Sequence, residues 1–234
     1  MASETERALI AAVRARPVGW DAWLVYADWL LEQGDVRGQL IAWEHQLATG
    51  ALSADERTAL RRGAQALEEA QREAWLAGWT PPATCELRWR YGFLIGVRLW
   101  WRPNTDPLAA LGELVAHPAA SLLCELKLSS RPLRADGARA LAAGNLSSLT
   151  ALDLVRNKLG RDGASVLAAA ESLGSLAELV LEDNRIGDDG ARALAASDRL
   201  RPLTTLDLRG NDIGDDSARA LRESEALRGC RVLT

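Results

Sequence analysis

Nucleophilic catalysis needs a serine or cysteine beside a histidine, and this 234-residue chain holds two histidines, His45 and His117. Neither sits in a catalytic motif, and no G-x-S-x-G occurs. The phosphate-cradling G-x-x-x-x-G-K-[ST] and the dinucleotide fingerprint G-x-G-x-x-G are missing too. Cys85, Cys124 and Cys230 lie far apart, with no C-x-x-C. An odd number of scattered cysteines argues against a disulfide framework or a zinc site, and a reducing cytoplasm is the simple reading. Asp183-Asn184-Arg185-Ile186-Gly187-Asp188-Asp189-Gly190 has some flavour of a calcium loop, but Leu194 stands where the loop's bidentate acid belongs. The acid pairs Asp188-Asp189 and Asp215-Asp216 fall at expected helix starts, where the helix dipole favours them. These residues point away from an enzyme, and they suggest no cofactor and no resident metal.

The chemistry that remains is recognition, and it is periodic. Leu149-x-x-Leu152-x-Leu154-x-x-Asn157 returns 27 residues later as Leu176-x-x-Leu179-x-Leu181-x-x-Asn184, and again as Leu203-x-x-Leu206-x-Leu208-x-x-Asn211. A looser copy precedes these, with Leu123, Leu126 and Leu128, and Arg131 in the asparagine place. Leu94-x-x-Val97-x-Leu99 opens the series, with Arg102 in that place, and Leu227-x-x-Cys230-x-Val232 closes it. Cys230 then stands in a leucine place and reads as core. Glu86–Tyr91, turned by Gly92, is expected to form a covering hairpin strand. A unit this short cannot bury its apolar side alone and must stack on its neighbours.

Within each unit, side chains around the second and third leucines alternate with the period of a strand. Leu152 and Leu154 point inward; Ala151, Asp153 and Val155 point out. The asparagines at the turn are placed to stack as a buried ladder. A helix follows, with Asp162, Asp189 and Asp216 expected as N-caps and Leu167, Leu194 and Leu221 facing the core. This pattern resembles the long, ribonuclease-inhibitor type of leucine-rich repeat over residues 94–234. The resemblance implies an α/β solenoid, with short parallel strands on its concave side and helices on its convex side.

The outward strand positions are then the usual binding surface of such a fold. They include Arg98 and Trp100, Glu125 and Lys127, Asp153, Glu178 and Glu182, and Asp207 and Arg209. Acids outnumber bases, which favours a basic protein partner through steering more than through raw affinity; a solvated face of no consequence is the other reading. Either Trp100 or Trp101 must point outward if the strand alternates, a hot-spot candidate unless the preceding unit covers it. Five strands at about 4.8 Å spacing give a sheet of only about 400 Å², against the roughly 800 Å² per side of a stable complex. A tight complex therefore needs further surface.

All nine tryptophans, both tyrosines and the one phenylalanine lie between Trp20 and Trp101. Two packing problems are being solved, and the expected division is 1–84 and 85–234. Before the boundary, Leu9, Ile10 and Val13 sit at helical spacing and Pro17 stops them. Asp21 is a candidate cap for a second helix through Leu31, with Gly34 past its end. A third helix runs from Arg37 to Ala48, and the capping box Ser53-x-x-Glu56 opens a long fourth. Such short helices and tight turns make a small bundle. The stretch Leu24-Val25-Tyr26-Ala27-Asp28-Trp29-Leu30-Leu31-Glu32-Gln33-Gly34-Asp35-Val36-Arg37-Gly38 resembles the bacterial repeat-companion domain, over residues 5–48. That resemblance implies a helical module ahead of repeats and no known chemistry. Gln39 and Trp43 depart from its pattern. Asp28, Glu32, Asp35 and Arg37 are either a docking patch or internal to the bundle, with Asp28 and Arg37 pairing or capping around the turn; Tyr26 and Trp29 read as core.

The net charge of −4 comes entirely from residues before 85 and exerts no pull toward nucleic acid or an anionic membrane. Arginine supplies nearly all the positive charge, as a GC-rich genome would. No secretory signal or membrane-spanning run is legible. The expectation is a cytoplasmic, non-catalytic protein–protein interaction module or scaffold. The alternative is an inhibitor or regulator of a specific enzyme such as a nuclease, toxin or small GTPase.

Overall fold

A computed structural model describes residues 3–16, 19–82, 84–100, 106–129 and 132–234. The chain divides into two compact units, residues 1–78 with 89–94, and residues 79–88 with 95–234.

The first unit is helical: α1 (Glu4–Ala15), α2 (Trp20–Glu32), α3 (Arg37–Thr49) and α4 (Ala54–Trp75), packed in that order. Ser3 Oγ caps α1 by accepting from the Glu6 amide at 3.0 Å. The capping box of α4 forms as expected, with the Ser53 amide donating to Glu56 Oε2 at 2.8 Å and the Glu56 amide to Ser53 Oγ at 3.3 Å. The Ser53 hydroxyl, which donates to Glu56 Oε2 at 2.7 Å, and then the Ser53 amide hold the Glu56 carboxyl below its ordinary range. Asp21 does not cap α2. Gly19 holds that position without a side-chain bond, and Asp21 lies inside the first turn, where it still meets the dipole. Gly34 turns the chain with φ +74°, a conformation that costs a side chain about 1–2 kcal/mol.

Ile10, Val13, Trp23, Tyr26, Leu30 and Ile41 are buried here. Phe93 completes this core. Its ring stacks on Tyr26 at 5.6 Å, tilts against Trp23 at 5.8 Å, and lies 4.5 Å from the Arg37 guanidinium carbon. The aromatic turn Tyr91-Gly92, both at positive φ (53° and 77°), gives the two-residue hairpin link whose twist suits the flanking strands. Burial pushes the Tyr26 hydroxyl far above its usual range, although Arg37 pulls the other way.

The second unit rests on a seven-stranded sheet in simple chain order: β1 (Cys85–Arg90), β2 (Phe93–Trp100), β3 (Glu125–Ser129), β4 (Ala151–Asp153), β5 (Glu178–Val180), β6 (Thr205–Asp207) and β7 (Arg231–Leu233). From β2 to β7 every neighbouring pair is parallel, and Val97, Leu126, Leu152, Leu179, Leu206 and Val232 align across the sheet. That register corrects the closing strand. Val232, not Cys230, pairs with Leu206, 26 residues earlier, because Leu227 answers Leu200 and not Leu203: the Cys230 amide donates to the Leu227 carbonyl as the Leu203 amide does to that of Leu200. Cys230 is half-buried just ahead of β7, where burial raises its thiol.

Between strands come α5 (Pro107–Ala116), α6 (Arg134–Ala143), α7 (Gly160–Ala169), α8 (Gly187–Ala195) and α9 (Asp215–Glu223), each packed on the next. Leu141, Leu167, Leu194 and Leu221 are fully buried from the helices, as are Leu126, Leu128, Leu154, Leu179, Leu181 and Leu206 from the strands and their turns. Each such leucine contributes about 1.5–3 kcal/mol by leaving water. The expected aspartate N-caps are not caps. Leu159, Ile186 and Gly214 hold those positions, and Asp162, Asp189 and Asp216 fall two or three residues further in. Asp189 and Asp216 there pair forward with Arg192 at 2.6 Å and Arg219 at 2.5 Å.

The asparagine ladder is present and buried. Asn184 Oδ1 accepts from the Asn157 amide at 3.0 Å and the Leu159 amide at 3.3 Å, while its Nδ2 donates to the carbonyls of Leu154 at 2.8 Å and Glu182 at 3.1 Å. Asn211 repeats this one unit later, with the Asn184 amide donating to its Oδ1 at 2.9 Å. A second ladder carries no obvious sequence mark. Ser172 Oγ donates to the Ala142 carbonyl at the end of α6, Ser197 to Ala168 at the end of α7, and Ser224 to Ala195 at the end of α8. Each serine thus satisfies a helix-end carbonyl of the unit before it.

Candidate functional site

Parallel register lines the solvent-side residues of the sheet into rows. One row reads Gly96, Glu125, Ala151, Glu178, Thr205, Arg231, and the next Arg98, Lys127, Asp153, Val180, Asp207, Leu233. Trp100 pairs with Ser129 beyond them and is 44% exposed. Strand pairing thus brings the predicted Arg98, Trp100, Glu125, Lys127, Asp153, Glu178 and Asp207 onto one sheet; Glu182 and Arg209 follow in the turns after β5 and β6. Trp101, Arg102 and Arg131 fall outside the described residues.

The charges on this face are organised, not uniform. At the β1–β3 end, Arg88 bonds Glu125, whose other oxygen takes Lys127 Nζ at 2.9 Å, and Arg98 stands 3.9 Å from Glu86. Gly96 eases this approach: a Cβ there would lie 3.1 Å from Arg88 Cβ and 3.2 Å from its Cδ, so any side chain would press the arginine stem aside by a few tenths of an ångström. These side chains line a shallow cavity of about 100 Å³. At the far end Arg209 clamps Asp207, donating from Nε at 2.9 Å and Nη2 at 2.5 Å, and reaches Glu182 at 3.3 Å. Between the two ends, Asp153 and Glu178 make no salt bridge among the described residues and line a small cleft with Val180 and Lys127. Asp153 accepts the Val155 amide at 3.1 Å, which orients it without neutralising it.

Asp207 therefore differs from its place in the sequence reading. Only 5% of it is exposed, and its carboxylate is already engaged. Bonds from Arg209 hold its pKa below the ordinary value, against the opposing effect of burial. A depressed folded pKa adds stability that is complete above the unfolded carboxyl value near about 4 and is lost as pH falls through the folded value. Asp207→Asn is accordingly expected to flatten the decline in stability below pH ~4. Urea unfolding at several pH values measures this; an unchanged slope refutes the role given to the pair.

Arg88, Glu86 and Arg231 were missed in the sequence. Arg88 and Glu86 come from the hairpin strand, outside the repeat template, and Arg231 was hidden by the slipped register of the last strand. The histidines are occupied structurally. His117 Nδ1 accepts the Ala119 amide at 3.1 Å, and His45 meets the edge of Trp20 with ring centres 5.0 Å apart. Cys85 is held protonated, its thiol pushed up to about 12 by burial and then by Glu86. The motif charges of the helical unit also separate. Arg37 binds Asp35, with its amide and Nε both on Oδ1 at 2.9 and 3.0 Å, and does not pair with Asp28. Asp28 and Glu32 are exposed, and Trp29 is only half-buried.

A family model described as Leucine Rich repeat matches residues 145–168, 175–195 and 199–221. Leucine-rich repeats occupy residues 145–221. The matches cover the strand–helix units of β4 with α7, β5 with α8 and β6 with α9, and hence the part of the face carrying Asp153, Glu178 and Asp207. Comparison with curated proteins gives no match. Leucine-rich repeats generally mediate protein–protein contacts, which is compatible with a binding module. No helix among the described residues is long and apolar enough to cross a membrane.

Proposed function

We propose that this protein is a non-catalytic interaction module that binds a protein partner through the solvent face of its sheet. In this reading the strands form the concave side of a short solenoid of ribonuclease-inhibitor type, preceded by a bacterial repeat-companion domain, in the cytoplasm. The observation that carries it is the row register, which sets Asp153 and Glu178, without salt bridges, between two ends whose charges are paired, Arg88 and Lys127 with Glu125 and Arg209 with Asp207 and Glu182. A half-buried, oriented Asp153 beside an exposed Glu178 selects a partner with a basic centre, and like charge rejects others. Structural roles for both histidines and a protonated Cys85 support a non-catalytic reading. Trp100, exposed at the end of β2, adds an apolar anchor of the kind that dominates interface energetics.

The test is affinity capture with the full chain as bait, comparing wild type with Asp153→Lys/Glu178→Lys, with Trp100→Ala, and with a control at the paired helix-side Arg199→Gln. The expected result is a partner lost with the double variant, weakened by Trp100→Ala, and retained by the control. If every partner survives both face variants, binding runs through another surface and the reading is wrong.

A further inference from the structure

Arginines of the repeat unit are mostly spoken for. Arg139, Arg156, Arg192, Arg199, Arg201, Arg219 and Arg228 each hold a carboxylate at 3.2 Å or less. Arg134, Lys158 and Arg185 hold none among the described residues, yet all three line one open trough of about 590 Å³. Its remaining walls are Ala135, Leu159, Gly160, Arg161 and Asp162. The lone acid is neutralised, since Arg161 Nε bonds Asp162 at 3.2 Å and Arg161 Nη1 reaches Asp189 at 3.5 Å.

The three cations are brought together by the repeat itself. The Arg134 amide donates to the Asn157 carbonyl at 3.0 Å, just before Lys158, and the Gly160 amide donates to the Asn184 carbonyl at 3.0 Å, just before Arg185. Successive repeats thus step one positive charge beside the next at the carboxyl ends of β4 and β5, where α6 and α7 begin. Arg134 has a further peculiarity. It opens α6 at φ +54°, in the place where Gly160 and Gly187 open α7 and α8 at +66° and +64°. A side chain there is strained, and strain that a glycine would relieve is characteristic of residues kept for function.

We propose that this trough binds a compact oligophosphate, an anion carrying two or more phosphate groups. Three uncompensated cations one repeat apart match several closely spaced anionic oxygens, with Arg134 and Arg185 able to bind bidentately. The walls decide the class. They include no aromatic ring to stack a base. Leu159 is 2% exposed, so apolar contact is limited to small groups such as Ala135 and to the stems of the cations, and the polar recognition falls to the three charges. The proposal is independent of the binding face, whose residues do not line this trough.

Titration calorimetry of the full chain with tripolyphosphate at low ionic strength provides the test. Saturable binding is expected, weakened about tenfold or more in Arg134→Gln/Lys158→Gln/Arg185→Gln and unchanged in the paired-arginine control Arg199→Gln/Arg219→Gln. Arg134→Gly serves as a second variant, because it removes a cation while relieving the backbone. It should weaken binding without lowering the melting temperature. Equal weakening by the control pair marks a general charge effect and overturns the site, as does an absence of saturation by wild type. A single-stranded oligonucleotide binding more tightly than tripolyphosphate also overturns the oligophosphate reading, in favour of nucleic acid.

Discussion

Asn184→Ala is expected to destabilise the repeat unit by about 3 kcal/mol or more, since buried polar groups left unpaired cost about 1–3 kcal/mol each. Its side chain is fully buried and accepts from two amides while donating to two carbonyls, all four on the main chain. Alanine removes every one of these partners. The geometry also predicts an order among the ladder positions. Asn157 Oδ1 has no partner among the described residues, so Asn157→Ala forfeits fewer bonds and should cost less. Thermal unfolding followed by circular dichroism is the measurement, with a melting temperature lower by roughly 6–12 °C for Asn184→Ala. A shift no larger than that of Asn157→Ala would remove the ladder from the account of stability.

A second large effect is expected in the helical unit, where Gly38→Ala should cost about 1–3 kcal/mol through overpacking. Gly38 lies in the first turn of α3 and is buried. A Cβ there would stand 2.5 Å from the Ala27 carbonyl oxygen and 2.7 Å from Leu31 Cγ, both on α2. A carbonyl of a packed helix cannot swing aside as a side-chain tip can, so the two helices must separate. Alanine would otherwise favour the helix by up to about 1 kcal/mol, and the clash decides the sign. Gly112, inside α5, supplies the contrast: a Cβ added there would meet nothing within 4 Å, so Gly112→Ala should raise stability. Tryptophan emission reports the Gly38 variant, as all nine tryptophans lie between Trp20 and Trp101. Equal effects from the two substitutions would refute the close α2–α3 approach.

Much of the strand pattern was legible because period-two alternation and a constant repeat leave few alternatives. Leu152, Leu179 and Leu206 align as spaced, and Asn157, Asn184 and Asn211 stack as spaced. The helix starts were misread for a physical reason. Aspartate is favoured both as a cap and within the first turn, and its type alone does not distinguish the two. Here leucine or isoleucine precedes α7 and α8 because burial outweighs a cap bond, and residues such as Arg156, Lys158 and Arg185 accept positive φ that their types do not advertise. The last strand slipped because leucine stands at both Leu200 and Leu203, and Leu227 answers the first of them, 27 residues before it, and not the second.

The candidate face divides in the same way. Residue types and alternation alone put Arg98, Lys127, Asp153, Glu178 and Asp207 on one side of a sheet, since pleating permits nothing else. Which of those charges remain available was decided only in three dimensions. Arg209 reaches back two residues to cover Asp207, Arg88 crosses Gly96 to reach Glu125, and Asp153 and Glu178 are left without salt bridges. Periodicity is a property of the local backbone and can be counted along a chain. Charge pairing depends on the direction and reach of long side chains, along a strand end from Arg209 to Asp207 and between strands far apart in sequence from Arg88 to Glu125, and only the folded structure decides both.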